Sequence, residues 1–355
     1  MSAALAKPNM ITLDEDGVET VAESRGSSPA KAGKELFIGL DLGGTKIGTA
    51  LVDAEGKILA RDLRKTQAAE GLQAVVDRMV DAASRVMIQA GVATSQVTAI
   101  GIGAPGPIDA KAGSVTSPPN LPGWRNVPLK KLVEEVLGIP TFLENDANAA
   151  ALGEHLFGAG RGAENMIYVT ASTGIGGGLI LNGRIYNGAT GAASEIGHMT
   201  VLPRGPHCGC GNRGCLEALA SGTAIAREGK ERVVRGVPTL ITELAEGDPE
   251  RVSARLVAQA AEQGDIEAQE IIDDAMTYLG VGMASLVNLF NPELIVIGGG
   301  LTNMGEGLFG PVRRIIDRRA FRTSAEAVKV VPSQLGDNVG TVGAAAVAML
   351  GVGLD

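Results

Sequence analysis

One pattern occurs twice in this chain, and it restricts the fold more than any other feature. Leu36-Phe37-Ile38-Gly39-Leu40-Asp41 reads as a short apolar strand, Gly43-Gly44-Thr45 as a tight turn, and Lys46 to Val52 as a second strand. Asp53 to Gly56 is another turn, and Lys57 to Asp62 a third strand. Met166 to Ala171 opens the second copy. It continues through the turn Ser172-Thr173-Gly174-Ile175-Gly176-Gly177-Gly178, a strand Leu179 to Leu181, the hairpin signal Asn182-Gly183 and a strand Arg184 to Tyr186. An internal duplication of strand, Gly-Thr turn and strand predicts two similar α/β lobes. Small ligands usually sit in clefts between such domains.

The connecting segments are helical. Leu72, Val75, Val76, Met79, Val80, Ala83, Val86 and Met87 recur at helical spacing, and Gly91 ends the run. Val97 to Ile102 is a strand. A helix opens at Pro128 and closes at Gly138. Ile139 to Glu144 is again a strand, followed by a helix from about Ala147 to Phe157. The second copy carries a long helical insertion after Glu217. A helix from Asp265 to Phe290 then precedes the strand Leu294 to Ile297 and Gly298-Gly299-Gly300. Val328 to Val331 is the last strand, and the final helix runs from about Val339 to Leu350.

Charge excludes some functions. Among 355 residues, Asp and Glu number 40 against 31 Lys and Arg, a net charge of −9. A general binder of nucleic acid wants a basic face, and 3% aromatic content disfavours stacking on bases. No apolar run approaches the ~20 residues that span a bilayer. Residues 1 to about 35 have no apolar periodicity and read as a disordered tail. That tail also lacks the basic start and apolar core of a secretory signal.

Cys208, Cys210 and Cys215 fall within eight residues, an odd and tight cluster that makes no disulfide framework. It fits thiols kept reduced in the cytoplasm around a metal. With His198 the spacing is H-x9-C-x-C-x4-C, and Gly209, Gly211 and Gly214 let the chain wrap a small ion. Three thiolates and an imidazole would complete a closed, structural tetrahedral Zn²⁺ site; the alternative is reduced cysteines in a Gly-rich loop. His207 is a competing ligand, but it abuts Cys208.

The glycine turns admit two readings. Gly43-Gly44-Thr45 is a plain hairpin turn, or a nest of N–H groups at positive φ that holds phosphate, with Thr45, Lys46 and Asp41 adding a hydroxyl, a charge and a Mg²⁺ contact. The repeat at Thr173 and Gly174 favours the second reading. Gly101-Ile102-Gly103-Ala104-Pro105-Gly106 formally matches the dinucleotide fingerprint, but Pro105 and Pro107 oppose the helix that motif requires, so a loop is expected. Asp146 either caps the helix that follows it or offers a carboxylate to an attacking hydroxyl. Glu195 and Glu217 flank the metal loop. With Asn120, Asn145 and His198 they supply the hydrogen-bonding groups that a sugar requires.

From about Leu36 onward the chain resembles the ROK family of bacterial sugar kinases and repressors, within the actin/hexokinase/Hsp70 superfamily. The most specific signature is Glu195-Ile196-Gly197-His198 followed by Cys208-Gly209-Cys210-Gly211-Asn212-Arg213-Gly214-Cys215-Leu216-Glu217. Asp41 to Lys46 and Ser172 to Gly178 are similar to the family's two phosphate motifs. Glu144-Asn145-Asp146-Ala147-Asn148-Ala149 is similar to its catalytic segment, and Gly298 to Gly300 falls at its adenosine motif.

The resemblance implies an α/β fold of two ribonuclease-H-like (actin-like ATPase) lobes, an interlobe cleft and a helical insertion in the second lobe. The first lobe would span 36–145 plus the C-terminal helix at about 338–355. The second would span 146–337, with the zinc loop at 198–215. The implied activity is an ATP-dependent hexose kinase acting on the 6-hydroxyl of glucose, with Asp146 as general base. Gly106, Asn120, Asn145, Asp146, Glu195, His198 and Glu217 would hold the sugar, His198 with one ring nitrogen on zinc and the other on sugar. Asp41, Gly43, Gly44, Thr45, Lys46, Thr173, Gly174, Gly299 and Gly300 would surround ATP and Mg²⁺. The resemblance also implies a homodimer or homotetramer.

Mannose, fructose, N-acetylglucosamine and N-acetylmannosamine are alternative substrates, and polyphosphate an alternative donor. The rival classes are a ROK transcriptional repressor and a catalytically dead sugar sensor. Asp146 and both phosphate turns favour catalysis. The acidic Gly/Ser/Pro-rich tail does not read as a winged helix.

Overall fold

The computed structural model describes residues 35–118 and 120–354, and the backbone of two short antiparallel strands, β1 (Ile11–Leu13) and β2 (Glu19–Val21). The rest of the expected disordered tail lies outside the described residues. The chain divides into two units, residues 1–157 with 337–355, and residues 158–336.

The first unit is built on β3 (Leu36–Leu42), β4 (Lys46–Asp53) and β5 (Ile58–Lys65), an antiparallel meander. After α1 (Leu72–Ala90) come β6 (Val97–Ala104), a small hairpin of β7 (Ile108–Asp109) and β8 (Ser114–Val115), α2 (Leu129–Leu137), β9 (Thr141–Asn145) and α3 (Asp146–Phe157). The sheet order is β5-β4-β3-β6-β9, with β6 parallel to β3 and β9 parallel to β6. Strand β3 reads as a continuous apolar run because helices cover both faces of the sheet. On one face Ile38, Leu40 and Leu42 share a core with Val75, Met79 and Val86 of α1. The chain leaves β6 into bends and β7 rather than a helix, as the prolines after Gly103 require.

The second unit repeats the arrangement. Strands β10 (Met166–Ala171), β11 (Ile175–Leu181) and β12 (Arg184–Ile185) form the meander. Asn182 and Gly183, at φ 53° and 73°, make the expected primed hairpin turn. The insertion consists of α4 (Leu216–Ala220), α5 (Gly222–Val234), α6 (Leu240–Leu244) and α7 (Ala254–Glu262). It is followed by α8 (Ile266–Phe290), β13 (Leu294–Gly298), α9 (Glu306–Arg319), α10 (Arg322–Ala327) and β14 (Lys329–Pro332). The order β12-β11-β10-β13-β14 matches the first sheet strand for strand, including the parallel β10–β13 and β13–β14 pairs. The core packs Ile167, Val169, Ile295 and Ile297 against Met276, Leu279 and Met283 of α8.

The chain then returns to the first unit as α11 (Val339–Gly351). Its run of Ala and Val is apolar all round because it is buried on every side. Phe37, Ala50, Val52 and Ala99 meet Ala345, Ala348 and Met349 there. A Cβ on Gly39 would run into the Thr341 carbonyl, and one on Gly101 into that of Ala344. Those two glycines let the helix backbone lie directly on the sheet. The lobe boundary expected after Asn145 falls after Phe157 instead. Helix α3, with Ala147, Ala149, Ala150 and Ala151 buried, packs on α11, and a Cβ on Gly343 would strike the Ala149 carbonyl.

Two further differences from the sequence reading have local causes. The turn expected to run through Gly178 ends at Gly174, and Gly176 to Gly178 lie inside β11, paired with Thr170, Val169 and Tyr168. Glycine at 177 leaves room for the Ile196 side chain, which occupies the place of its Cβ. Helix α9 is unexpected in a segment holding Gly305, Gly307, Gly310 and Pro311. It forms because Leu308, Phe309, Val312 and Ile316 bury one face. Among the described residues no helix is long and apolar enough to cross a membrane.

Candidate active site

In the first unit, the turn between β3 and β4 is held from outside. Gly43 N–H donates to Lys46 O at 2.9 Å, closing the hairpin. The buried Thr66 donates its N–H to Thr45 O at 2.8 Å and its hydroxyl to Gly43 O at 2.6 Å. Neither Gly43 nor Gly44 adopts a positive φ, which corrects the expectation of a positive-φ nest. Glycine is needed at 44 for space, since a Cβ there would lie 2.8 Å from Cβ of Asn120. Asn120 is thereby seated on the turn. Thr45 and Lys46 are exposed.

Asp41, the last polar residue of β3, is half-buried beneath the first turn of α11, where a Cβ on Gly340 would overlap its carboxylate. Burial first, and then the charge of Asp146, push its carboxyl up to about 6. Two carboxylates that repel each other fit the neighbourhood of a cation.

Asp146 stands at the junction of β9 and α3, and the neighbouring residue takes the cap. Asn145 Oδ1 accepts the N–H of Ala147 at 3.0 Å and of Asn148 at 3.3 Å. The buried Glu144 braces this junction, accepting from Asn145 N–H at 2.9 Å and Asn148 Nδ2 at 3.1 Å. Asp146 accepts the N–H of Ala147 at 2.8 Å, and its side chain is exposed at the positive end of the helix. Gly106 faces Asn145, with its Cβ position 3.3 Å from Asn145 Nδ2.

In the second unit, the turn between β10 and β11 closes by Ser172 N–H donating to Gly174 O at 2.9 Å. Glu217 Oε2 accepts the N–H of Ile175 at 2.9 Å and fills the space where a Gly174 side chain would be. Gly299, at φ 89°, lies on the backbone of Ala171, and Gly300 lies 3.7 Å from Ser172 Oγ by its Cβ position. Thr173 and Glu195 are exposed.

The ligand atoms of His198, Cys208, Cys210 and Cys215 all lie within 4.8 Å of one another. Around a tetrahedral zinc, two sulfurs should stand about 3.8 Å apart, and a sulfur and a nitrogen about 3.5 Å. Cys210 and Cys215 Sγ are 3.7 Å apart, and Cys208 Sγ is 3.6 Å from His198 Nδ1. The donor set therefore fits zinc. Nδ1 faces the thiols, which turns Nε2 away from them. Gly211 and Gly214 take φ of 94° and 66°, and a Cβ on Gly214 would overlap the Leu202 carbonyl, so the loop closes only with glycine there. Burial pushes the Cys215 thiol up to about 12 and raises that of Cys208, while the Asn212 N–H holds Cys210 below its usual range. His207 is outside the cluster and pairs with Arg213.

The ROK family model matches residues 37–350. The chain belongs to the ROK family. Among curated ROK relatives it is similar to the glucokinase of Thermotoga maritima, 41% identical over 314 residues, covering 88% of this chain and 97% of the relative. A putative xylose repressor from a Caldicellulosiruptor strain is 36% identical, over 88% of this chain and 77% of the relative. Among solved structures it is similar to a ROK family glucokinase from Streptomyces griseus in complex with glucose and AMPPNP. There the identity is 38% and the TM-score 0.77, covering 89% of this chain and 99% of that one. The paired five-stranded sheets are the actin-like ATPase fold of these ROK kinases.

Thr66 and the capping role of Asn145 were invisible in the sequence. A threonine 23 residues beyond its partner carries no local signal. The pair Asn145-Asp146 offers two equally good caps.

Proposed function

We propose that the chain is an ATP-dependent glucokinase that transfers the γ-phosphoryl group to the 6-hydroxyl of glucose. The observation that carries this reading is the division of labour at α3. Asn145 caps the helix, and the Asp146 carboxylate is left exposed beside it. The likeness to glucokinases of T. maritima and S. griseus supports the substrates.

In this reading Asp146 accepts the 6-hydroxyl proton as that oxygen attacks the γ-phosphorus and the bond to the ADP oxygen breaks. Glucose is held by Gly106, Asn120, Asn145, Glu195, His198 and Glu217. The ATP phosphates meet Gly43, Gly44, Thr45, Lys46, Thr173 and Gly174, and the adenosine end meets Gly299 and Gly300. Asp41 would hold Mg²⁺, which would supply positive charge against that of the phosphates. His198, Cys208, Cys210 and Cys215 would hold a structural Zn²⁺, His198 through Nδ1, which leaves its Nε2 for the sugar.

We infer a cytoplasmic location from three clustered free thiols, and a homodimer or homotetramer from family likeness. A coupled kinase assay across glucose, mannose, fructose and the N-acetylhexosamines, with ATP or polyphosphate, tests the reading. Preference for glucose and ATP is expected. Sugar binding without turnover would replace it with a sensor.

A further inference from the structure

The turn Ser172–Ile175 is gripped by a single short stretch of chain, residues 217–223, which directly follows the last cysteine of the metal loop. Cys215 is the N-cap of α4, and the Leu216 N–H donates to Met199 O at 2.9 Å. Leu216 and Ala220 are fully buried, and a Cβ on Gly282 of α8 would lie 2.7 Å from Leu216 Cδ2, so α4 is packed without slack. Ser221 is also buried and caps α5, accepting from Ala224 N–H at 3.2 Å. From this anchored corner three groups reach the turn. Gly222 N–H donates to Ser172 O at 2.7 Å. Thr223 donates twice to Thr173 O, from its N–H at 3.2 Å and from its hydroxyl at 2.8 Å.

The direction of these bonds matters. In a planar trans peptide, the C=O of one residue and the N–H of the next point opposite ways. Holding the Ser172 carbonyl toward α5 therefore turns the Thr173 N–H away from it. Holding the Thr173 carbonyl does the same for the Gly174 N–H. Among the described residues neither N–H donates to a protein acceptor. Two adjacent N–H groups aimed outward from one turn make an anion-binding concavity, and the carbonyl grip keeps either peptide plane from rotating.

We propose that Thr223 is a positioning residue for the nucleotide, fixing the Thr173–Gly174 peptide plane so that the Gly174 N–H is presented to an ATP phosphate. This rests on the reading of Thr173 and Gly174 as phosphate contacts. Thr223 is exposed and touches no reacting group in that reading, so its effect passes entirely through the turn.

The test is steady-state kinetics with ATP and glucose varied separately, on the full chain and on Thr223→Val, Thr223→Ser and Thr173→Ala. Binding of a non-hydrolysable ATP analogue is measured alongside by calorimetry. Loss of the Thr223 hydroxyl bond should raise the KM for ATP and the analogue Kd about three- to tenfold. The KM for glucose should stay unchanged, and Thr223→Ser should restore the wild-type values. If Thr173→Ala weakens the analogue but Thr223→Val does not, the positioning role is wrong and the phosphate turn stands. If Thr223→Val and Thr173→Ala both leave analogue binding intact, the phosphate reading of this turn fails, and the proposal with it. A Thr223→Val variant that raises both KM values together, or that serine does not rescue, also overturns it.

Discussion

Asp41 lies within reach of the charge of Asp146, and burial first, then that charge, lifts the Asp41 carboxyl from an ordinary 3.8 to about 6. The native state thus binds a proton at Asp41 more tightly than the unfolded chain does. Between pH 3.8 and 6 stability therefore falls as pH rises, and above pH 6 the full penalty is present. Its size is at most about 3 kcal/mol. Asp41→Asn removes it. That variant should melt several degrees above wild type at pH 8 in the absence of nucleotide and metal, and level with it near pH 4. Calorimetric melts at the two pH values check this, and an equal gap at both would refute it.

Gly101 has no room for a side chain, because the backbone of α11 lies on it. Gly101→Ala should destabilise the first unit by about 3 kcal/mol or more through forced separation of helix and sheet. Gly209, with open space around its Cβ position, is the control, and alanine there should be nearly neutral. Denaturant melts of the two variants give the comparison.

The thiol cluster predicts metal content. Elemental analysis of protein purified under reducing conditions should find zinc at about one atom per chain. Cys210→Ser should abolish it. Cys210 is exposed while Cys215 is fully buried, so the loss of metal in Cys210→Ser would come with little loss of packing. Retained zinc in that variant would mean that another residue completes the site.

Much of this architecture could be read from residues in order. The duplicated meander, the caps at Gly91 and Gly138 and the primed turn at Asn182-Gly183 all follow from local pattern. The grouping of His198 with the three cysteines was legible for the same reason, since three of the four lie within eight residues. The role of the glycines was not. Gly43, Gly44 and Gly174 serve close approach by Lys46 O, Asn120 and Glu217 rather than positive φ, and those partners are set by tertiary packing. The end of the first unit at Phe157 carries no local signal, for a similar reason. Helix α3 belongs with α11, nearly 200 residues away, and only contact between two Ala-rich helices reveals it. Thr66 and Thr223 escaped because a hydroxyl that braces a distant turn looks like any other threonine.

Substitution of the exposed carboxylate beside the α3 cap tests the proposed chemistry most directly. Asp146→Asn preserves the size of the side chain and removes its ability to take a proton. Its kcat for glucose phosphorylation should fall by about 10²- to 10⁴-fold, while glucose binding measured by calorimetry stays within a few-fold of wild type. A kcat within a few-fold of wild type would contradict the account, because the proton of the 6-hydroxyl would then leave by another route.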